Sequence, residues 1–239
     1  MSKRFAAAIA CACLLCLTLS AQNKKQKDWT QWSKDEAEKM LNDSPWGQTQ
    51  TYTDTTEMTY SPTVAGRSAS RDTEGAKNQA TNIKYRIRLF SARPIPEALV
   101  RSILLSMKQT PDAATLERLK SFAEQPASDS IIVTVSFEAS DGRMAGAAMQ
   151  AFNSAVTDVL KHDTYLERKD GQHLYLEEYV PPGKDGFGAR FIFPRRVGET
   201  PFLSPDGGEL RFHSQLNKTT ELNMRFKLAK MIYNDALEY

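Results

Sequence analysis

Residues 164–179 read TYLERKDGQHLYLEEY. Two runs with a period of two flank Asp170-Gly171. Successive side chains of a strand point to opposite faces, so this period marks half-buried strands. Asp-Gly is the pair that a two-residue type I′ turn wants. The stretch predicts an antiparallel hairpin with His173 opposite Arg168. The same period continues downstream. FGARFIF (187–193) puts Phe187, Ala189, Phe191 and Phe193 on one face. GELRFHS (208–214) is a short strand after the turn Pro205-Asp206-Gly207-Gly208. TELNMRFKL (220–228) sets Leu222, Met224, Phe226 and Leu228 against Asn223, Arg225 and Lys227. MIYNDALEY (231–239) leaves room for a final strand.

Upstream, strands and helices alternate. IKYRIRLF (83–90) carries Ile83, Tyr85, Ile87 and Leu89 on one face and Lys84, Arg86 and Arg88 on the other. Pro94 and Pro96 stop that strand. A helix starts at Pro96-Glu97 and shares Leu99, Val100, Ile103, Leu104 and Met107 on one face. Thr110-Pro111-Asp112 supplies a cap, a first-turn proline and a first-turn acid. The helix after it presents Leu116, Leu119, Phe122 and Ala123. SIIVTVSFEAS (130–140) is a β-branched run expected at the centre of a sheet. From about Arg143 to Lys161 one apolar stripe runs through Ala145, Ala148, Met149, Phe152, Ala155, Val156, Val159 and Leu160, the period of a single long helix. The fold class is α+β: a mostly antiparallel sheet, sandwich or partial barrel, with inserted helices, over residues 83–239.

The N-terminal third differs. Residues 22–48 form a helical segment, with Ser33 and Glu36 in capping-box spacing. Ala37, Met40 and Leu41 give its apolar stripe, and the residue before Pro45 ends it. Residues 49–82 are rich in Thr and Ser: an edge strand over TQTYTDTTEMTY, then a loop too poor in large apolar side chains to offset its ordering entropy. All three tryptophans, Trp29, Trp32 and Trp46, fall in 22–48. They are the candidate partner-binding residues if their rings are exposed. Their spacing around one short helix and its exit turn favours the other reading, an anchor of that helix on the sheet.

Residues 1–21 read as a secretory signal peptide: Lys3 and Arg4, an apolar run from Phe5 to Leu19, then small residues. The run is too short to span a bilayer, and no later segment reaches that length. Cleavage removes all three cysteines, so the exported chain has no disulfide and no thiol chemistry. It also removes two of the 31 basic residues, leaving parity with the 29 acidic ones. Neutral overall charge argues weakly against nucleic-acid binding, which usually needs a basic face to neutralise phosphates.

Motifs for catalysis are missing. Gly66-Arg67-Ser68-Ala69-Ser70 lacks the closing glycine of a nucleophile elbow. No phosphate-binding loop or dinucleotide fingerprint occurs. His162, His173 and His213 show no paired-ligand spacing; His173 and Glu177 share a strand face but stand about 13 Å apart. Asp141, Asp170, Asp185 and Asp206 each precede glycine and read as turns, since none opens a calcium-loop series. Glu177 and Glu178 point to opposite faces and cannot flank one substrate. Arg190, Arg195, Arg196 and Arg211 read as a charged strand face. No catalytic, cofactor or metal residue is assigned.

Five blocks, DWTQWSKDEAEKMLNDSPWGQTQT (28–51), AMQAFNSA (148–155), TYLERKDG (164–171), GARFIFPR (188–195) and MRFKLAKMIYNDALEY (224–239), resemble a family of exported bacterial proteins of the Acidobacteria type without an assigned function. The resemblance implies a periplasmic or secreted location and brings no catalytic residue. Members often end in GKLEY, where this chain has Asn234-Asp235-Ala236-Leu237. The expectation is a non-enzymatic module at the cell envelope that binds an envelope protein, a glycan or an apolar ligand. The alternative is an envelope-directed hydrolase whose carboxylates meet only in the fold.

Overall fold

The computed structural model describes residues 27–54, 81–125 and 129–239. The stretch expected to be a signal peptide, the Gly66–Ser70 motif and most of the Thr/Ser-rich tract lie outside them. In chain order the elements are α1 (Lys34–Asn42), β1 (Gly47–Asp54), β2 (Thr81–Leu89), α2 (Pro94–Ser106), α3 (Ala113–Ala123), β3 (Ser130–Ala139), α4 (Gly142–Ser154) and α5 (Thr157–Leu160). There follow β4 (Thr164–Arg168), β5 (His173–Tyr175), β6 (Glu178–Val180), β7 (Ala189–Pro194), β8 (Arg196–Val197), β9 (Thr200–Pro201), β10 (Glu209–Asn217), β11 (Thr220–Lys227), β12 (Ile232–Tyr233) and β13 (Ala236–Leu237).

The fold is α+β, and its sheets are antiparallel. One sheet runs β1-β2-β3-β7-β6, the other β11-β10-β4-β5. Their apolar faces meet: Phe212 packs on Phe191 at 5.3 Å and on Phe193 at 6.3 Å between ring centroids. At one junction the chain itself crosses from β5 to β6. At the other, glutamines of β1 bond to the backbone of β11. The two sheets thus approach a barrel. Phe152 of α4 covers the end near Tyr85 and Phe137. Helix α2 packs against both α1 and α3, and α1 also against β1 and β2.

The predicted hairpin forms with a different turn. Arg168 N bonds to Gln172 O, and Gly171 N to Arg168 O. Gly171 takes φ +82°. This is a three-residue loop with a left-handed glycine. One extra loop residue shifts the register, so His173 faces Glu167, not Arg168. The expected type I′ geometry occurs instead at Asn234 and Asp235, with φ of 48° and 62°, joining β12 to β13.

The helical expectations need three corrections. The stripe at 143–161 does not form one helix: α4 ends at Ser154, and Ala155 and Val156 are extended. Ser154 Oγ donates to Ala151 O at 3.4 Å, a local side-chain bond of the kind that competes with helical backbone bonds. Val156 and Val159 are then exposed. The helix placed at Pro96 begins at Pro94 and buries Ile95, Ala98 and Val100, while Met107 is exposed. For α3 the cap is Asp112, not Thr110; its carboxylate accepts from Thr115 N at 2.6 Å. Ser33 and Glu36 do form the capping box before α1.

Arg88, expected on a solvent face, is buried. It donates to Leu41 O at 2.9 Å, to Asn42 Oδ1 at 2.8 Å and to Ser136 Oγ at 3.1 Å. These bonds hold the C-terminal end of α1, where carbonyls lack helical partners. Burial, helped by nearby Arg86, pushes its guanidinium down to about 10.

Gly188 precedes β7 at φ +85°, and a Cβ there would sit 2.2 Å from Val135 O. Neither fault can relax without moving β3. Gly188→Ala is therefore expected to cost at least about 2 kcal/mol. Thermal unfolding checks this; an unchanged midpoint contradicts it.

Candidate functional site

A groove of about 920 Å³ opens between α4, the outer stretch of β1 and the β10–β11 turn. Its size suits a bound ligand. Small residues of α4 make one wall: Ala147, Ala148 and Ala151. Their short side chains leave the space open. Ile83 and Tyr85 form an apolar floor. Gln50, Gln150, Asn217, Thr219, Thr220 and Asn223 line the rest with amides and hydroxyls. Glu221 is the acid among the lining residues. Burial pushes the Tyr85 phenol upward, so it stays neutral. The lining offers neutral hydrogen bonds over apolar surface, without converging carboxylates or a nucleophile–base pair.

Gln50 is fixed on both sides of its carboxamide. Its Oε1 accepts from Asn223 N at 2.8 Å, and its Nε2 donates to Glu221 O at 2.9 Å. Gln48 Nε2 donates to Arg225 O at 3.0 Å one step along the seam.

The tryptophans do not form an exposed patch. Trp29, Trp32 and Trp46 are 6%, 5% and 3% exposed. Trp32 Nε1 donates to Lys27 O at 3.1 Å. Trp46 Nε1 donates to Glu238 O at 2.9 Å, and its ring meets Tyr233 edge-on at 6.0 Å. Trp46 ties the exit from α1 to the C-terminal hairpin, Trp32 closes back on its own segment, and none lines the groove. Trp29 borders a smaller cleft described below.

Two of the three histidines flank one tyrosine, while His162 lies apart and exposed. Tyr165 stacks between His173 at 4.3 Å and His213 at 4.9 Å across three strands. His173 Nε2 lies 3.3 Å from Glu167, and His213 Nε2 lies 3.4 Å from Asp163. The arginines do not converge. Arg190 pairs with Asp185 at 2.9 Å, and Arg211 with Glu167 at 3.3 Å. Arg195 covers the ring of Tyr239, and Arg196 bonds to Glu199 O. Glu178 pairs with Ile192 in the sheet, and Glu177 N bonds to Ile192 O. Of the four Asp-Gly pairs, Asp141 instead caps α4, its carboxylate accepting from Arg143 N at 2.7 Å.

Sequence reasoning missed Glu97. Read as a first-turn helix acid, it is 3% exposed. Burial pushes its carboxyl up to about 7, against the lowering effects of the Tyr233 hydroxyl and Arg93. Tyr233 donates to its Oε2. Arg93 in turn pairs with Glu238 at 3.1 Å. Glu97 and Tyr233 border a cleft of about 490 Å³ with Lys27, Asp28 and Trp29. The Asp28 carboxylate is held below its ordinary range, chiefly by hydrogen bonds from Thr30. The one available signal was Pro-Ile-Pro-Glu, which puts Glu97 where α2 turns inward from β2.

No family model, no curated protein and no solved structure matches the chain. Among the described residues no helix is long and apolar enough to cross a membrane.

Proposed function

We propose that the protein is an exported, non-enzymatic module of the cell envelope that holds a neutral, amphipathic ligand in the groove beside α4. Export follows from the leader-like residues 1–21 and agrees with the family resemblance. The observation that carries the binding reading is the lining itself: an apolar floor under a rim of amides and hydroxyls, with Glu221 as its acid. Such a surface orients a ligand by hydrogen bonds and gains affinity from apolar burial. Ala147 lines the groove from an exposed position. Ala147→Trp therefore fills the groove without entering the core. It is expected to weaken binding of an apolar fluorescent dye or of chitohexaose at least tenfold, roughly 1.4 kcal/mol, with an unchanged unfolding midpoint. Equal binding by both chains refutes the site.

The second reading, an envelope-directed hydrolase, draws on the Glu97 cleft. Its two lining carboxyls have pKa values pushed apart, Glu97 upward and Asp28 downward. That is the arrangement of a general acid and a partner carboxylate. Turnover of generic ester or glycoside substrates, lost in Glu97→Gln while the fold persists, would put this reading first.

A further inference from the structure

β1 and β11 are edge strands of separate sheets, and no backbone ladder joins them. An edge strand presents peptide groups that seek partners. Here the partners are side chains. Gln50 accepts from Asn223 N and donates to Glu221 O, and Gln48 donates to Arg225 O. Asn223 and Glu221 are two residues apart on one edge. Bonding to the N–H of one and the C=O of the other is what a residue of a parallel neighbouring strand does. The Gln50 carboxamide thus occupies the place of a peptide group. The groove opens at this point: Gln50, Tyr52, Thr220, Glu221 and Asn223 all border it.

We propose that the groove receives an extended, uncharged peptide segment of another protein, which adds as a strand to the edge of β11 in place of the Gln50 carboxamide. This rests on the groove being the binding site and names its ligand class. Three observations favour a peptide. The groups on the β11 edge already satisfied by Gln50 are the donor and acceptor that a main chain matches. Apart from Glu221, the polar rim is made of amides and hydroxyls, which suit uncharged side chains. The Ala-rich wall of α4 leaves room for every second side chain, since those of a strand alternate. Main-chain pairing supplies affinity in such additions, and alternate pockets supply preference.

The test is a backbone NMR titration of the purified chain with three probes. They are a pool of uncharged, end-blocked octapeptides, the same pool N-methylated at every amide, and chitohexaose. The plain pool is expected to shift the Asn223 and Glu221 amides and to protect Asn223 from hydrogen exchange. The N-methylated pool should bind at least about tenfold more weakly, because it lacks the donors of a strand. Gln50→Ala should bind the plain pool more tightly, since it releases the edge; if Gln50 only closes the seam, affinity stays the same or falls. Equal binding of the two pools overturns strand addition. If chitohexaose alone shifts the groove, strand addition fails and the groove reading stands. If no probe perturbs the groove, both fail.

Discussion

Trp46→Ala lowers the free energy of unfolding by about 4 kcal/mol, the cost of truncating a fully buried aromatic. The ring is 3% exposed and meets Tyr233 edge-on. Its indole N–H donates to Glu238 O across 192 residues of sequence. Its own carbonyl accepts from Leu89 N at 2.8 Å, at the start of the β1–β2 ladder. The residue therefore joins the exit from α1 to the end of β2 through its backbone and to the C-terminal hairpin through its ring. Removal leaves a cavity and strands the Glu238 carbonyl. Trp46→Phe keeps most of the ring volume and should cost about half as much, chiefly through the lost hydrogen bond. Urea unfolding followed by circular dichroism measures both. A Trp46→Ala midpoint equal to that of the parent would disprove the anchoring role.

The second large effect is a loss of stability as pH rises, centred on Glu97. In the unfolded chain its carboxyl ionises near its ordinary value of 4.5; in the fold it keeps its proton to about 7. Below pH 4.5 both states are protonated, and the contribution of this group is fully present. Between pH 4.5 and 7 only the unfolded chain sheds the proton, so stability falls with rising pH. Above 7 the loss levels off, at about 3 kcal/mol from this residue. Arg93, Glu238 and Asp28 set the charge around it, with Arg93 opposing the shift and the two acids adding to it. Glu97→Gln stays neutral at every pH and keeps an oxygen for the Tyr233 hydroxyl. The difference in unfolding free energy between parent and variant, plotted from pH 4 to 9, should therefore open across that window in favour of the variant. A flat difference plot contradicts a buried, proton-holding carboxyl.

Strand positions were legible because period two is a local property. Ile83, Tyr85, Ile87 and Leu89 face inward as their spacing requires, and so do Ala189, Phe191 and Phe193. The capping box of α1 was legible because its two bonds join residues three apart. The exact turn at Asp170-Gly171 was not, since one glycine serves two loop lengths and the longer one formed. The stripe from Arg143 to Lys161 misled for a related reason. Periodicity reports which residues could share a face, while the break at Ala155 depends on how the backbone competes locally and on what Thr157 meets. Its hydroxyl accepts from Tyr179 N at 3.0 Å.

The candidate site was almost wholly hidden. Gln50, Asn223 and Ala147 look like ordinary surface residues in one dimension. They become a groove only because β1 and β11 end up as facing edges with α4 beside them. Arg88 reads as a solvent-face charge and Glu97 only as a helix start, because alternation and helix position say nothing about what later segments cover. By itself the sequence determined the α+β class, most strand faces, the capping box of α1 and the absence of familiar catalytic motifs, all of which depend on residues within a few positions of one another. Tertiary structure decided the pairing of β4 with β10, the glutamine seam, the burial of the tryptophans and the raised Glu97 carboxyl. Each of these depends on groups tens to hundreds of residues apart, whose desolvation and bonding exist only once the chain has closed on itself.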